Sequence, residues 1–99
     1  MTIKTILQEL ENANHPVARI HHKGVNFRVL MVGFKKGMIL KEHKANLPTI
    51  LTVIQGKVIY KEGEQLHHLN LHDDYQIPVG ELHSVEALED SICLLSQGE

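Results

Sequence analysis

The two histidines best suited to chemistry in this sequence are His43 and His83. His83 follows a turn at residues 78–80 and shares one face of the predicted next strand with Val85 and Ala87. A histidine on this apolar face is expected to point into the core, where an unpartnered ring nitrogen costs roughly 1–3 kcal/mol. His83 therefore requires a partner, which can be a protein group, a bound small molecule or a metal ion.

The sequence defines the directions of His43 and His67 less sharply. His43 shares its strand face with Lys41 and Ala45, which is a mixed set, and His67 shares a face with Leu69 and Leu71. The second pattern fits either an inward imidazole or one at the rim of the sheet. Imidazole nitrogens bind iron, nickel, copper or zinc, and they also hold polar ligands by hydrogen bonds that depend on a pKa near 6.5.

Other arrangements of reactive side chains are weak. Ser84 is adjacent to His83 along a predicted strand, so the two side chains lie on opposite faces and cannot act as a dyad. Asp73 and Asp74 lie in a predicted turn, which favours solvated carboxylates. The single cysteine, Cys93, lies in an apolar run typical of a buried strand, and we expect it to act as a small hydrophobic residue.

Short strands separated by turn residues must position these side chains. After Pro16, apolar segments alternate with turns that contain Gly24, Gly56 and Gly63, a pattern typical of an all-β sandwich or barrel. The predicted strands cover residues 17–22, 25–34, 38–44, 49–54, 57–62, 66–71, 75–77, 82–87 and 92–96.

The N-terminal segment follows a helical pattern instead. Its apolar residues recur at the spacing of one helix face: Ile3, Ile6, Leu7 and Leu10. Pro16 ends the segment, because the residue before a proline avoids the helical region. We therefore predict a helical extension over residues 1–16, packed on a sheet or on a partner subunit, and one β-barrel domain over residues 17–99.

Two segments resemble the signature motifs of the cupins, which are small β-barrels of the jelly-roll type. The matching residues are Gly37, His43 and Gly56 in the first motif, and Pro78, Gly80 and His83 in the second. The resemblance covers about residues 24–96. It implies a single cupin-type jelly-roll barrel preceded by the short helix, and it is strongest for the small single-domain type.

The metal-binding part of this signature is degenerate. In metal-binding cupins, three histidines and a glutamate hold one divalent ion inside the barrel. Only His43 and His83 match those positions, because Ala45 stands in place of the second histidine and Thr49 in place of the glutamate. A zinc, nickel, iron or copper ion would need a further ligand, for which His67 is the candidate.

The composition argues against several other classes of protein. The net charge is −2, and the lysines and arginines are scattered among acidic residues, so neither nucleic acid nor an anionic membrane surface is an expected partner. The apolar runs are too short to span a bilayer, and the N-terminus lacks the pattern of a signal peptide. We expect a cytoplasmic protein.

These observations favour a non-enzymatic or regulatory barrel that binds a small polar molecule in its interior. The predicted contacts are His43, His83, Thr49 and Tyr60. Two alternatives stay open: a metal-dependent enzyme of the dioxygenase or isomerase type that uses His43, His83 and His67, and a structural module with a filled barrel. The replacement of two metal ligands disfavours catalysis.

A homodimer is also expected from the sequence. The predicted strand at residues 17–22 is a candidate edge strand, and pairing it with a second copy would remove an exposed sheet edge. The same contact would bury the apolar face of the N-terminal helix.

Overall fold

Residues 2–99 are described by the computed structural model, which places one helix ahead of nine strands. The elements are α1 (Thr2–Leu10), β1 (Val17–Lys23), β2 (Phe27–Phe34), β3 (Ile39–His43), β4 (Thr49–Gln55), β5 (Val58–Glu62), β6 (Gln65–Leu69), β7 (Asp74–Ile77), β8 (His83–Ala87) and β9 (Ser91–Gly98). All nine predicted strands are present in the predicted order. No helix within residues 2–99 combines the length and apolar character needed to cross a membrane.

The strands form two antiparallel sheets that face each other. One sheet has the order β1-β2-β9-β4-β7 and the other has the order β3-β8-β5-β6. In β4, β5 and β8 alternate residues point into a shared core, as in β8, where His83, Val85 and Ala87 are buried. Side chains of both sheets meet there, for example Leu51 and Tyr60. The architecture is the predicted jelly-roll barrel.

Helix α1 packs on the outer face of the five-stranded sheet, where Ile6 and Leu10 are buried with Met31. Gly33 permits this close approach, because a Cβ atom there would lie 2.3 Å from Ile6 Cγ2. The expectation that a partner subunit buries the whole apolar face is therefore wrong for Ile6 and Leu10, which the chain's own sheet covers. Ile3 and Leu7 remain 39% and 45% exposed.

Two predicted strand ends are displaced by local turns. The β1–β2 hairpin closes through a hydrogen bond from the Gly24 amide to the Phe27 carbonyl, so Val25 lies in the turn and is 98% exposed. At the end of β6, the Asp73 carboxylate accepts a hydrogen bond from the Asn70 amide, and His72 adopts a φ of 73°. The chain leaves the sheet after Leu69 because these contacts replace the strand pairing.

Candidate functional site

A bulge in β3 brings His43 and His83 face to face. Leu40 pairs with Val85 and His43 with His83, so β3 contains one extra residue between the two pairs. The two imidazole rings are 4.2 Å apart between centroids, with their planes inclined by 60°. The Gly80 amide also donates to a backbone carbonyl of the segment after β3, at a distance of 3.0 Å, which fastens the two motif segments together.

Both rings are oriented through their Nδ1 atoms. Nδ1 of His43 lies 2.8 Å from the Lys41 carbonyl oxygen, and Nδ1 of His83 lies 3.1 Å from the Glu81 carbonyl oxygen. A carbonyl oxygen only accepts hydrogen bonds, so Nδ1 is the protonated nitrogen of each neutral ring. The Nε2 atoms are then the acceptors that these rings present to other groups.

His83 is the deeper member of the pair, with 3% of its surface exposed. Burial lowers the pKa of His83 below the usual 6.5, and the neighbouring His43 lowers that pKa further. The hydrogen bond to the Glu81 carbonyl and the carboxylate of Glu62 act in the opposite direction. The balance favours a neutral imidazole at neutral pH.

We expect His83 to reduce the stability of the fold at acidic pH. In the unfolded chain His83 takes up a proton as the pH falls through 6.5, whereas in the folded chain it does so only at a lower pH. Between the two pKa values the unfolded state binds more protons, so the free energy of unfolding decreases as the pH is lowered. The slope reaches at most about 1.4 kcal/mol per pH unit.

Urea unfolding of the wild type and of His83→Gln, followed from about pH 8 to about pH 5, measures this contribution. The other titrating groups are common to both proteins, so the difference between the two curves isolates His83. The wild type should lose more stability than the variant over this range. A difference that stays constant with pH would show that the imidazole is not destabilised in its charged form.

Polar side chains continue from the histidine pair across the four-stranded sheet. The register places Glu62 of β5 opposite His83 and Gln65 of β6 opposite Glu62. Directly paired residues share one face of a sheet, so the four side chains form a row with His43 at its end. Glu62 was not among the predicted site residues. Its position two residues after Tyr60 in β5 puts both side chains on one face, which was a usable signal.

Tyr60 lies beneath this row and is completely buried. Its hydroxyl donates to Glu62 Oε1 at 2.9 Å, and its ring lies 5.5 Å from that of His83 and 4.5 Å from that of Tyr75. Burial raises the pKa of Tyr60, and the hydrogen bond to the Glu62 carboxylate raises it further, so the phenol stays neutral. Tyr60, a predicted ligand contact, is placed by the structure in the packed core.

His67 is separated from the histidine pair. It lies on β6 opposite Tyr60, and β5 lies between β6 and the strand that carries His83. The Nε2 atom of His67 is buried and has no hydrogen-bond partner among the described residues. The structure therefore does not bring the three predicted metal-ligating imidazoles together.

The side chains at the cupin metal positions do not fit a divalent ion. His43 and His83 supply imidazoles, but Ala45 has no ligating atom. The Thr49 hydroxyl donates to the Leu47 carbonyl and accepts from another side chain, so its hydrogen bonds are satisfied within the protein. Within residues 2–99, no three or more histidine, cysteine, aspartate or glutamate side chains are grouped to hold a metal ion.

A second polar row crosses the five-stranded sheet. The register aligns Thr49 of β4, Gln97 of β9 and Arg28 of β2. Nε2 of Gln97 donates to Thr49 Oγ1 at 3.2 Å, and Nε of Arg28 donates to Gln97 Oε1 at 2.6 Å. Thr49 therefore contributes to a hydrogen-bond chain. Arg28 and Gln97 were not among the predicted site residues, because only the pairing of distant strands brings them beside Thr49.

A cavity of about 240 Å³ opens between the two sheets at the end of the barrel that carries His43, which we call the mouth. His43 lies on one side of it, Arg28 and Gln97 lie on the other, and Leu30 and Leu95 supply apolar surface. Lys44 adds a second cation at the rim. None of the described residues that line the cavity is an aspartate or a glutamate.

No protein-family model and no curated protein matches this sequence. Solved structures, in contrast, share its fold. A cupin superfamily protein from Desulfitobacterium hafniense aligns with a TM-score of 0.80 and 17% identity, over 94% of this chain and 87% of that chain. An RmlC-like cupin from Desulfovibrio desulfuricans aligns with a TM-score of 0.77 and 22% identity, over 85% and 82%. KdgF from a Halomonas species aligns with a TM-score of 0.74 and 21% identity, over 89% and 85%.

The TM-scores of 0.74 to 0.80 show a common fold, whereas identities of 17% to 22% carry no information on activity. The similarity extends over most of each chain. The chain therefore has the fold of the cupin superfamily, a small double-stranded β-helix barrel, with a short helix ahead of it.

Proposed function

We propose that this chain is a non-enzymatic, small-molecule-binding barrel whose ligand lies at the mouth, in contact with His43. The cavity of about 240 Å³ carries this proposal, since it combines apolar surface with converging polar groups. Such a combination is typical of ligand sites in proteins. The volume lies below the roughly 300–1,000 Å³ of drug-sized pockets, which favours a ligand of few atoms.

His83 supports this site from below. Its ring packs against both His43 and Tyr60, so it fixes the position of the outer imidazole. The outer ring is held through Nδ1, which leaves its Nε2 atom for the ligand. We assign the direct contact to His43 and the positioning of that contact to His83.

A panel of small carboxylates, amides, sugars and amines tests the proposal by thermal unfolding of the wild type and of His43→Ala. A ligand at 100 times its Kd stabilises the wild type by about 2.7 kcal/mol. We expect this stabilisation to be lost in His43→Ala. His68→Ala is the matched control, because His68 is an exposed histidine on β6, away from the cavity. Equal stabilisation of His43→Ala and wild type would contradict the assignment.

A structural module with a filled barrel is the second candidate. The observation in its favour is the dense interior, where Tyr60, Leu51, Val53 and Val85 are each at most 2% exposed. A wild-type protein that no compound of the panel stabilises would favour this candidate over ligand binding.

A homodimer through β1 also remains part of the proposal. β1 is an edge of the five-stranded sheet, where a second copy can add an antiparallel strand. Ile20 on this strand and Leu7 on the helix are 49% and 45% exposed, which would favour such a contact.

A further inference from the structure

The guanidinium of Arg28 is held at the cavity by groups whose hydrogen-bonding roles are fixed by chemistry. A guanidinium only donates, so the Gln97 amide must turn its oxygen toward Arg28 and its nitrogen toward Thr49. Thr49 Oγ1 must then accept from Gln97, and its own proton goes to the Leu47 carbonyl at 2.9 Å. Each hydrogen bond of the chain therefore runs in one direction only, and Arg28 is held through its Nε atom.

This arrangement leaves part of Arg28 for a ligand. Only its Nε atom is used by Gln97, and no carboxylate in residues 2–99 forms an ion pair with it within 4.0 Å. Its two terminal amino groups present a planar set of donors that matches a carboxylate or phosphate. Lys44, on the same cavity, adds positive charge.

We propose that the ligand of this barrel is a small oxyanion, a carboxylate or a phosphate, anchored by Arg28. The inference rests on the proposed function and names the class of its ligand. The cavity has the liquid volume of about eight water molecules, which fits a dicarboxylate of three carbons or inorganic phosphate. Thr49 and Gln97 are positioning residues that act through Arg28.

Thr49 differs in charge from the residue at the matching position of metal-binding cupins. In metal-binding cupins the matching position carries a glutamate that helps to hold a cation. Here a neutral hydroxyl takes that place and terminates a chain that presents a cation instead.

Isothermal titration calorimetry with malonate, inorganic phosphate and neutral malonamide tests the ligand class. We expect malonate or phosphate to bind and malonamide to bind at least tenfold more weakly. Arg28→Gln should weaken anion binding by about tenfold to a hundredfold, because it removes charged hydrogen bonds. Arg19→Gln is the matched control and should leave the affinity unchanged, since Arg19 pairs with Glu9 outside the cavity.

A second set of variants tests the positioning role. Thr49→Val keeps the shape of the side chain but removes the acceptor for Gln97, so the preference for malonate over malonamide should fall several-fold. Thr49→Ser should restore that preference. A purely structural Thr49 would change the stability of the fold in Thr49→Val and leave the preference intact, which would overturn the assignment.

The outcomes separate this inference from the proposed function. Binding of phosphate alone, or of malonate alone, supports the inference and selects the anion. If malonamide or another neutral or cationic compound binds while both anions fail, the oxyanion inference is overturned and the binding function stands. If no compound of either panel binds the wild type, both are overturned. Anion binding that Arg28→Gln leaves unchanged overturns the anchor.

Discussion

Tyr60→Ala is expected to lower the free energy of unfolding by about 3–5 kcal/mol. Tyr60 is the largest of the fully buried side chains, and its ring packs against the rings of Tyr75 and His83. Alanine would remove all of these contacts and leave a void between the two sheets. Urea unfolding at neutral pH, compared between wild type and variant, measures the loss.

Tyr60→Phe is the matched control for the hydroxyl group. It keeps the ring and removes only the hydrogen bond to Glu62, so we expect a loss of about 1 kcal/mol. The difference between the two variants is then the contribution of the ring. If Tyr60→Ala cost no more than Tyr60→Phe, the ring would contribute nothing to stability, and the interior of the barrel would not be filled as described.

The position of Tyr60 also explains why we place the proposed ligand site at the mouth of the barrel. The phenol ring occupies the barrel interior against His83. The cavity lies nearer the surface, between His43 on one side and Arg28 and Gln97 on the other. A ligand can therefore reach His43 without displacing a core side chain. The packed core and the open cavity therefore lie at different depths of the same barrel.

The inward direction of His83 could be predicted because it depends on local alternation alone. His83, Val85 and Ala87 share a face with apolar character, and all three are buried as expected. The same alternation along β5 places Glu62 on the face of Tyr60. Strand order along the chain and the buried faces of regular strands are local properties, and a single sequence reveals them.

The partners of these residues could not be predicted from local patterns, because strand pairing is not local; the position of His43 opposite His83 was expected only from the resemblance to the cupins. The bulge in β3 that places His43 opposite His83 leaves no mark in the local pattern. Thr49 and Gln97 are 48 positions apart, and Arg28 and Gln97 are 69 positions apart. The separation of His67 from His83 likewise follows from the place of β5 between their strands, which alternation within β6 does not show.

Gly56→Ala is expected to be the most disruptive of the glycine substitutions in the turns. Gly56 has a φ of 80°, and a Cβ atom there would lie 2.3 Å from both the Asp90 carbonyl oxygen and Ser91 Oγ. The left-handed conformation costs roughly 1–2 kcal/mol for alanine, and the displaced backbone adds a cost of about 1–3 kcal/mol. We therefore expect a total loss of about 2–5 kcal/mol, measured by urea unfolding.

Gly63→Ala is the control that separates the two costs. Gly63 has a φ of 58° with nothing within 4 Å of the added Cβ, so only the conformational cost of roughly 1–2 kcal/mol applies. A larger loss for Gly56→Ala would show that Gly56 is required by the close approach of the Asp90 backbone. That requirement is independent of any metal, which explains how a chain with Ala45 and Thr49 at ligand positions retains the closing glycine of the motif. Equal losses in the two variants would remove this explanation.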